Sequence, residues 1–468
     1  MFLLSSLLMK DNVVVTHADV LIVGGGFSGI ALASSLVKRD PKATVLISRK
    51  PDGPTYGIAY ETDCPLHLLN VPAKGMSAFP DAPTDFIDWA AHNGIALGPN
   101  DFAPRLVYRQ YLETILNNAI ETGRVAVIDE ETIGANRVKD GWECTLRDGS
   151  LVRASSVILA FGGFPPAPIL ELKAVAEHPA YIANPWIDID VAALRKCSRV
   201  GIIGSGLTAL DVVLSLESKG FRGHYTLLSR RGLMPHVHDL STPALPPEEI
   251  PIPEQNIRKL VRNVRHAIDR TETLGTNWRA VSDGMRPKVA QYWLVLSDSQ
   301  RERFLRHIRP FWEVHRHRVA PQIAHRIAEI QKNDRLSIAA GRLLLVSACE
   351  DGILVPFARN QSSQVESFEF DLLVNCTGPS CKVTSWPSPL LASLISDGRA
   401  ATDPLERGIS SDQNGTVVDP SGHVVQGLFV LGHPRRGQLW ESTAVPELRV
   451  QASTLAEHLA QPSVALAG

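Results

Sequence analysis

The stretch Ala18-Asp-Val-Leu-Ile-Val-Gly-Gly-Gly-Phe-Ser-Gly-Ile-Ala-Leu-Ala-Ser-Ser-Leu-Val37 decides how the rest of the chain is read. Ala18 to Val23 is apolar apart from Asp19, which predicts a buried strand. Gly24 to Gly29 interrupts it. Ile30 to Val37 then predicts a helix whose small Ala31, Ala33 and Ser34 allow a close neighbour. A second strand at Ala43 to Ile47 completes a βαβ unit. Within the turn, Gly24 permits the tight bend, Gly26 lets a pyrophosphate approach the backbone, and Gly29 lets helix meet strand. The helix start, with Phe27 and Ser28 in it, offers free N–H groups and a positive dipole end. This pattern predicts a bound dinucleotide; a Gly-rich turn without ligand is the competing reading. The acidic residue that usually closes the second strand and holds ribose hydroxyls is replaced by Ser48, followed by Arg49 and Lys50. Ser48 is a candidate for one ribose contact and Arg49 for the adenylate end.

A second unit of the same design begins at Arg199. Val200 to Ile203 predicts a strand entering Gly204-Ser-Gly-Leu-Thr-Ala209, and a helix follows through Leu216. Ala209 takes the third glycine position, a substitution the motif accepts. Gly204, Ser205, Gly206, Leu207 and Thr208 are the candidate contacts. The next strand, Tyr225 to Leu228, ends in Ser229-Arg-Arg-Gly232. Arg230 and Arg231, with Ser229, suit a ribose 2′-phosphate, because guanidinium matches phosphate oxygens two at a time. That favours NADPH over NADH, against the plainer reading of a solvated basic turn. Two such units imply two dinucleotides, one a bound flavin and the other a diffusing nicotinamide.

Further strands are expected at Val125 to Ile128, Trp142 to Leu146 and Ser156 to Ala160, the last running into Phe161-Gly-Gly163 with Gly162 at the turn. Phe370 to Cys376 runs similarly into Thr377-Gly378-Pro379, and Gly427 to Leu431 into Gly432. Thr377, Gly378 and Gly432 join the candidate cofactor residues. The final helix is expected to open at Ser442-Thr-Ala-Val-Pro446, with Thr443 as N-cap and Pro446 in the first turn. The fold expected is α/β: two Rossmann-like dinucleotide-binding domains, a split FAD domain and an inserted NAD(P)H domain, with a helical insertion. The boundaries read as 16–190 for the first part of the FAD domain, 191–254 for the NAD(P)H unit, 255–335 for a basic helical segment and 336–468 for the returning FAD part. Residues 255–330 carry 15 Lys and Arg against 7 Asp and Glu. That excess reads either as solvated helix faces or as a basic wall near cofactor phosphates or an anionic substrate.

Composition narrows the function. The 468 residues are 44% hydrophobic and 21% charged, with a net charge of -2, so neither disorder nor a chain-wide nucleic-acid footprint is indicated. Six cysteines without any CxxC spacing exclude a zinc ribbon or thioredoxin-like couple and fit a reducing, cytoplasmic setting; no metal site is expected. Cys376 and Cys381 are near enough in sequence to raise a redox pair, but the strand-to-turn setting argues against it. The start, MFLLSSLLMK, has no basic opening and too short an apolar run for a signal peptide, and reads as a disordered leader or as sequence upstream of a start at Met9. No stretch is long and apolar enough to span a bilayer.

The chain resembles a family of bacterial FAD/NAD(P)-binding proteins that are mostly uncharacterised. The resemblance runs from about Asp19 to Leu459. It rests on Gly24-Gly-Gly-Phe-Ser-Gly29, Gly57-Ile-Ala-Tyr60, Leu68-Leu-Asn-Val-Pro72, Phe102-Ala-Pro-Arg105, Gly204-Ser-Gly-Leu-Thr-Ala-Leu-Asp211, Ser229-Arg-Arg-Gly-Leu-Met-Pro235, Asn375-Cys-Thr-Gly-Pro379 and Arg436-Gly-Gln-Leu-Trp-Glu-Ser-Thr-Ala-Val-Pro446. More distantly, the layout is similar to flavin monooxygenases that use FAD and NADPH, including N-hydroxylating and Baeyer–Villiger enzymes. Their F-x-G-x-x-x-H-x-x-x-W fingerprint is not matched in spacing by Phe161, Gly163, His178 and Trp186. The resemblance implies that the loop from Gly57 to Pro72 runs along the flavin ring. Asn70 would then bond the ring edge, Tyr60 stack or cap it, and His67 and Val71 lie beside it. Ser442 and Thr443 would face the flavin pyrimidine side, while Trp440 and Glu441 line the pocket. Glu441 is a candidate proton acceptor or amine holder, with a surface role as the alternative.

Three functions remain open at this level. The favoured one is an FAD-dependent, NAD(P)H-consuming monooxygenase that hydroxylates a small molecule, with molecular oxygen as co-substrate, through a flavin hydroperoxide; a nitrogen centre is the target by analogy. The second is an NAD(P)H-dependent flavin reductase or dehydrogenase that does not insert oxygen. The third is a flavin-binding protein without turnover. No nucleic-acid or membrane partner is expected, and the oligomeric state is not legible.

Overall fold

The computed structural model describes residues 8–10, 13–186, 194, 197–360, 362 and 364–461. These residues form two compact units: those within 1–63, 71–163 and 381–468 make the first, and those within 64–70 and 164–380 make the second. The stretch read as leader differs from expectation where it is described. Leu8–Lys10 forms β1, antiparallel to the start of β2 (Val13–Val23). Residues 1–7 and the expected boundary at 190/191 lie outside the described residues.

In the first unit, β2 is central. It pairs in parallel with β3 (Val45–Ser48), which pairs in parallel with β4 (Val125–Ile128). On its other side β2 pairs with β7 (Leu151–Leu159), and β7 with β17 (Val424–Val430), again in parallel. An antiparallel layer, β5 (Thr132–Val138) and β6 (Gly141–Leu146), attaches to β7, and β16 (Thr416–Val418) edges β17. Leu21, Ile22, Leu46, Ile47, Val157, Ile158 and Leu159 are fully buried, as continuous apolar strands covered on both faces should be. Helix α1 (Phe27–Arg39) packs against the last helix, Val445–Ala460, and its small residues Ala31 and Ala33 are buried. A tyrosine-rich wall surrounds α2 (Asp85–His92) and α3 (Arg105–Glu121). There Tyr108 and Tyr111 are buried against Phe86 with ring centroids 5.1 and 5.0 Å away.

The second unit repeats the design. Strand β9 (Arg199–Ile203), helix α4 (Leu207–Ser218) and strand β10 (His224–Ser229) follow the Gly-rich loop, with β9 and β10 parallel in register. The next strand, β11 (Leu336–Leu343), is parallel to β10. Leu372–Asn375 forms β15, parallel to β9 and to the short β8 (Tyr181–Ile182). An antiparallel group of β12 (Ser347–Cys349), β13 (Gly352–Arg359) and β14 (Val365–Phe370) continues from β11. Its core gathers Val175, Ile203, Leu228, Val355, Phe357, Phe370 and Leu373.

Two expectations are corrected here. Residues 336–380 do not belong with the first unit, because β11 and β15 complete the parallel sheet around β9 and β10; the first unit resumes at Cys381. Phe370 to Cys376 is also not one strand. β14 ends at Phe370, and the Asp371 carboxylate accepts the N–H groups of Ser198 and Arg199 at 2.6 and 2.9 Å, which turns the chain before β15.

Between β10 and β11 lie a loop and then the helices α5 (Ile257–Thr273), α6 (Trp278–Met285), α7 (Val289–Leu294), α8 (Asp298–Arg303), α9 (Arg309–Arg316) and α10 (Pro321–Lys332), with one isolated parallel bridge between Val237 and Val319. Asn256 caps α5 by accepting the N–H groups of Arg258 and Lys259, and Asn277 caps α6 through that of Arg279. No described helix is long and apolar enough to cross a membrane.

Candidate dinucleotide sites

The first Gly-rich loop is shaped by contacts that only glycine permits. Gly24 has φ +123°, and a Cβ there would lie 2.6 Å from the Ala160 carbonyl oxygen. A Cβ on Gly29 would lie 2.1 Å from the Gly24 carbonyl oxygen. Gly26 is less crowded: a Cβ there would meet only the Gly57 and Tyr56 backbone, at 3.5–3.8 Å, ordinary van der Waals contact. Helix α1 starts at Phe27 with Gly26 as N-cap, no side-chain cap and no acidic residue in the first turn. Its leading N–H groups are therefore available to an anion. Gly162, after β7, is in open space. The Phe27 ring is buried and stacks on Tyr108 with centroids 6.5 Å apart, so only its backbone remains a candidate contact. The Ser28 hydroxyl oxygen lies 2.8 Å from where a Cβ on Gly432 (φ +79°) would stand, which places the turn after β17 beside the start of α1.

Ser48 is corrected. It is buried, its hydroxyl donates to the Glu130 carbonyl at 2.6 Å and accepts from Thr132 at 2.7 Å, so it ties strands together and does not offer a ribose contact. Arg49 keeps its place. Its guanidinium pairs with Asp129, and its stem lies 3.1 Å from where a Cβ on Gly25 would be. Tyr60 is half-buried with its ring 4.9 Å from that of Tyr108; burial pushes its hydroxyl pKa up, with Arg105 opposing. Val71 is buried against Gly75.

The segment following the turn at Gly432 holds several buried polar atoms without a hydrogen-bond partner. Both ring nitrogens of His433, Arg435 Nε and the Ser442 hydroxyl are in this state. Burial pushes the His433 pKa down to about 4, with Arg436 adding to the effect, so the ring is neutral at pH 7. Such atoms are costly unless a ligand engages them. Sequence reasoning missed His433 and Arg435; the only signal was their position directly after a strand-end glycine. Between them and Ser442 the chain makes a γ-turn: Trp440 has φ +61° and ψ −60°, and Glu441 N–H donates to the Leu439 carbonyl at 2.7 Å. That conformation costs about 1–3 kcal/mol in a non-glycine residue. Glu441 is half-buried. Thr443 is corrected. It is exposed, and the last helix (Val445–Ala460) has Ala444 as N-cap and Pro446 in its first turn.

The second cradle reproduces the first bond for bond. Gly204 has φ +117°, a Cβ there would lie 2.4 Å from the Cys376 carbonyl oxygen, and its N–H donates to Leu228 at 2.8 Å, as that of Gly24 does to Ser48. Gly206 N-caps α4 and would place a Cβ in open space, and Leu207 and Thr208 form the uncapped first turn. Thr377 and Gly378 therefore flank this second loop, a correction to their placement with the FAD domain. Thr377 is exposed and donates to the Asn375 side chain. Ser205 and Ser229 brace the loop: the Ser205 hydroxyl reaches the Leu233 carbonyl at 2.5 Å and Ser229 Oγ at 3.0 Å. Arg230 and Arg231 are exposed and border a cavity of about 430 Å³.

His67 and Asn70 are placed in the second unit, which corrects His67 as a flavin contact. His67 is buried, its Nε2 lies 2.8 Å from the Asp211 carbonyl oxygen and 3.0 Å from Ser215 Oγ on α4. The Asn70 carbonyl accepts from His238 Nε2 at 2.9 Å. Cys64 lies 3.5 Å from Ser218 Oγ. Burial pushes its thiol up, but hydrogen bonds from His67 and Ser218 outweigh that and bring its pKa down to about 7. No disulfide joins any of the six cysteines, and the described residues contain no cluster of three or more potential metal ligands.

The comparisons with known proteins begin with a class. Residues 21–164 match a family model described as FAD-NAD(P)-binding. Among individual proteins, the chain is 26% identical over 242 residues to nitrosuccinic acid synthase NpaA of Aspergillus oryzae, covering 45% of this chain and 37% of that one. It is 25% identical over 303 residues to the FAD-containing monooxygenase EthA of Mycolicibacterium smegmatis, covering 60% and 51%. The chain thus matches about a third to a half of the length of these relatives. In structure it is similar to the ornithine N-hydroxylase KtzI of Kutzneria sp. 744, with a TM-score of 0.65 at 14% identity, over 95% of this chain and 99% of that one. This last likeness is one of fold.

Proposed function

We propose that the protein is an FAD-dependent, NADPH-consuming monooxygenase that hydroxylates a small molecule with molecular oxygen, in a reducing, cytoplasmic setting. The observation that carries the proposal is the duplicated cradle. Each loop has a positive-φ glycine locked under a strand-end carbonyl, a glycine N-cap, and a helix start without a side-chain cap. One dinucleotide enzyme needs a single cradle; a flavin reduced by a nicotinamide needs two. When bound, the flavin would supply the oxygen activation.

The chain's own residues have the following roles. The α1 start and Gly26 hold the FAD pyrophosphate, Arg49 lies toward the adenylate, and Ser442, His433 and Arg435 give their unpartnered polar atoms to the cofactor. Neutral His433 donates through one ring nitrogen. Glu441, fixed by the γ-turn, accepts a proton or holds a substrate amine. Tyr60 packs at the ring edge, with its raised pKa keeping it protonated. Gly206 and the α4 start hold the NADPH pyrophosphate, and Arg230 and Arg231 hold its 2′-phosphate. Asn70 stays a candidate for a polar contact to the reacting groups. An amine nitrogen is favoured as the target, because two of the similar proteins are named for a nitro product and for N-hydroxylation.

The experiment is stopped-flow spectroscopy. Holoprotein is reduced by NADPH without oxygen, then mixed with oxygenated buffer with and without small amines. Reduction by NADPH, an oxygen-dependent transient distinct from oxidised and reduced flavin, and a hydroxylated amine are the expected results. Direct return to oxidised flavin with no product under any amine would favour the second reading, a reductase without oxygen insertion. Failure of NADPH and NADH to reduce the flavin would overturn both.

A further inference from the structure

The cavity beside Arg230 and Arg231 is built from three separated stretches. Arg306 and His307 come from the helical segment, Arg342 from the end of β11, and Asn360 from the end of β13. The sheet register explains the meeting. Ser229 at the end of β10 pairs with Ala340 on β11, which puts Arg342, two residues past Ala340, level with the turn that holds Arg230 and Arg231. Asn360 locks this edge, donating from its side chain to the Arg230 carbonyl at 2.7 Å and from its backbone to the Ala340 carbonyl at 2.9 Å.

Arg306 arrives through a local break in helix geometry. Residues Phe304–Ile308 form a π turn, in which Arg309 N–H donates to the Phe304 carbonyl. The next residue, Pro310, has no N–H. In an α-helix that N–H would go to the Arg306 carbonyl. The freed carbonyl instead accepts from Arg231 Nη2 at 3.5 Å, and the Phe311 ring lies 5.2 Å from the same guanidinium. π turns often mark functional positions, and this one aims Arg231 and Arg306 at the same space.

Charge identifies the occupant. None of the guanidinium groups of Arg230, Arg231, Arg306 and Arg342 pairs with a carboxylate among the described residues, and no acidic residue lines the cavity. Four like charges around one space repel each other unless an anion joins them. A phosphate monoester carries close to two negative charges and accepts guanidinium forks from several sides.

We infer that this cavity seats the 2′-phosphate of an adenosine dinucleotide, and that Arg306 and Arg342, both outside the βαβ unit, set the selectivity for phosphorylated over unphosphorylated nucleotide together with Arg230 and Arg231. The inference rests on the proposed use of NADPH by the second cradle and names the residues that enforce it.

The test is calorimetric titration of the holoprotein with adenosine 2′,5′-bisphosphate, with AMP, which lacks only the 2′-phosphate, and with inorganic phosphate. The wild-type protein is expected to prefer the bisphosphate over AMP. Arg306→Ala and Arg342→Ala are each expected to shrink that preference about tenfold, the loss of one charge-assisted contact, with AMP affinity held. If an alanine variant loses AMP as well, Arg306→Gln and Arg342→Gln, which keep most of the side-chain stem, decide by the same ratio. A preference unchanged in the variants overturns the inference and leaves the NADPH reading standing. A wild-type protein without any preference overturns the NADPH reading itself. Inorganic phosphate bound as tightly as the bisphosphate reassigns the cavity to a free anion and overturns the inference.

Discussion

Gly29 shows how little room single residues leave in the first cradle. A methyl group there would lie 2.1 Å from the Gly24 carbonyl oxygen, and that oxygen is backbone with no flexible end to move. Gly29→Ala must push α1 away from β2 and misplace the helix start. The purified variant is expected to carry several-fold less FAD per chain, read from its flavin-to-protein absorbance ratio; wild-type occupancy would show that the loop can give. Cys64 tests a different kind of locality. Its pKa of about 7 means that the thiolate fraction rises as pH rises through neutrality, while burial pushes the Cys144 thiol up to about 12. Labelling of Cys64 by a maleimide, followed by mass spectrometry, is expected to be half-maximal near pH 7, with Cys144 unreactive. His67→Gln removes the principal hydrogen bond and is expected to move that midpoint upward; an unmoved midpoint would mean that His67 does not hold the thiolate. Ser48 and His67 show what sequence position leaves undetermined. Both sit where a cofactor contact is expected, yet strand β3 runs one residue further than its pattern indicates and buries Ser48, and the 64–70 segment packs its histidine onto α4.

At the scale of elements, the βαβ units were readable because strand, glycine turn and helix are contiguous and each glycine has a steric reason. The π turn was not, since it depends on Pro310 and on a partner, Arg231, that sheet pairing brings from far away in sequence. Pro310→Ala restores an N–H that can claim the Arg306 carbonyl and straighten this turn. Arg231 then loses its anchor, and the Michaelis constant for NADPH is expected to rise several-fold while that for NADH holds. Equal effects on both nucleotides would point to a general disturbance of the second unit. The Trp440 γ-turn has the same character: no residue type in Gln438 to Ser442 announces a positive φ, and only the surrounding packing imposes it.

For the whole molecule, the expected α/β architecture with two dinucleotide motifs matches the observed sheets, but the point where the chain returns to the first sheet does not. Asn375 to Gly378 and Ala160 to Gly163 look alike in sequence because each closes a parallel strand beside a Gly-rich loop, and a repeated design makes the two halves interchangeable on paper. Only the pairing of β15 with β9 assigns the former to the second unit. The candidate site was legible as two loops and an arginine pair, and illegible wherever a residue's neighbours came from across a sheet, as for Arg306 and Arg342.

The unneutralised guanidinium groups around the second unit's cavity have a consequence for kinetics as well as for affinity. They form an exposed positive field on a chain whose net charge is -2, so the field is local and decays over a Debye length of about 8–10 Å near physiological ionic strength. An incoming polyanion is guided by it only when counterions are sparse. Raising sodium chloride should therefore slow the encounter with NADPH more than the encounter with NADH, visible as a steeper fall in the second-order rate constant for flavin reduction. The nucleotide preference of this protein would then be a property of the medium as much as of the pocket, sharpest in dilute buffer and blunted in brine.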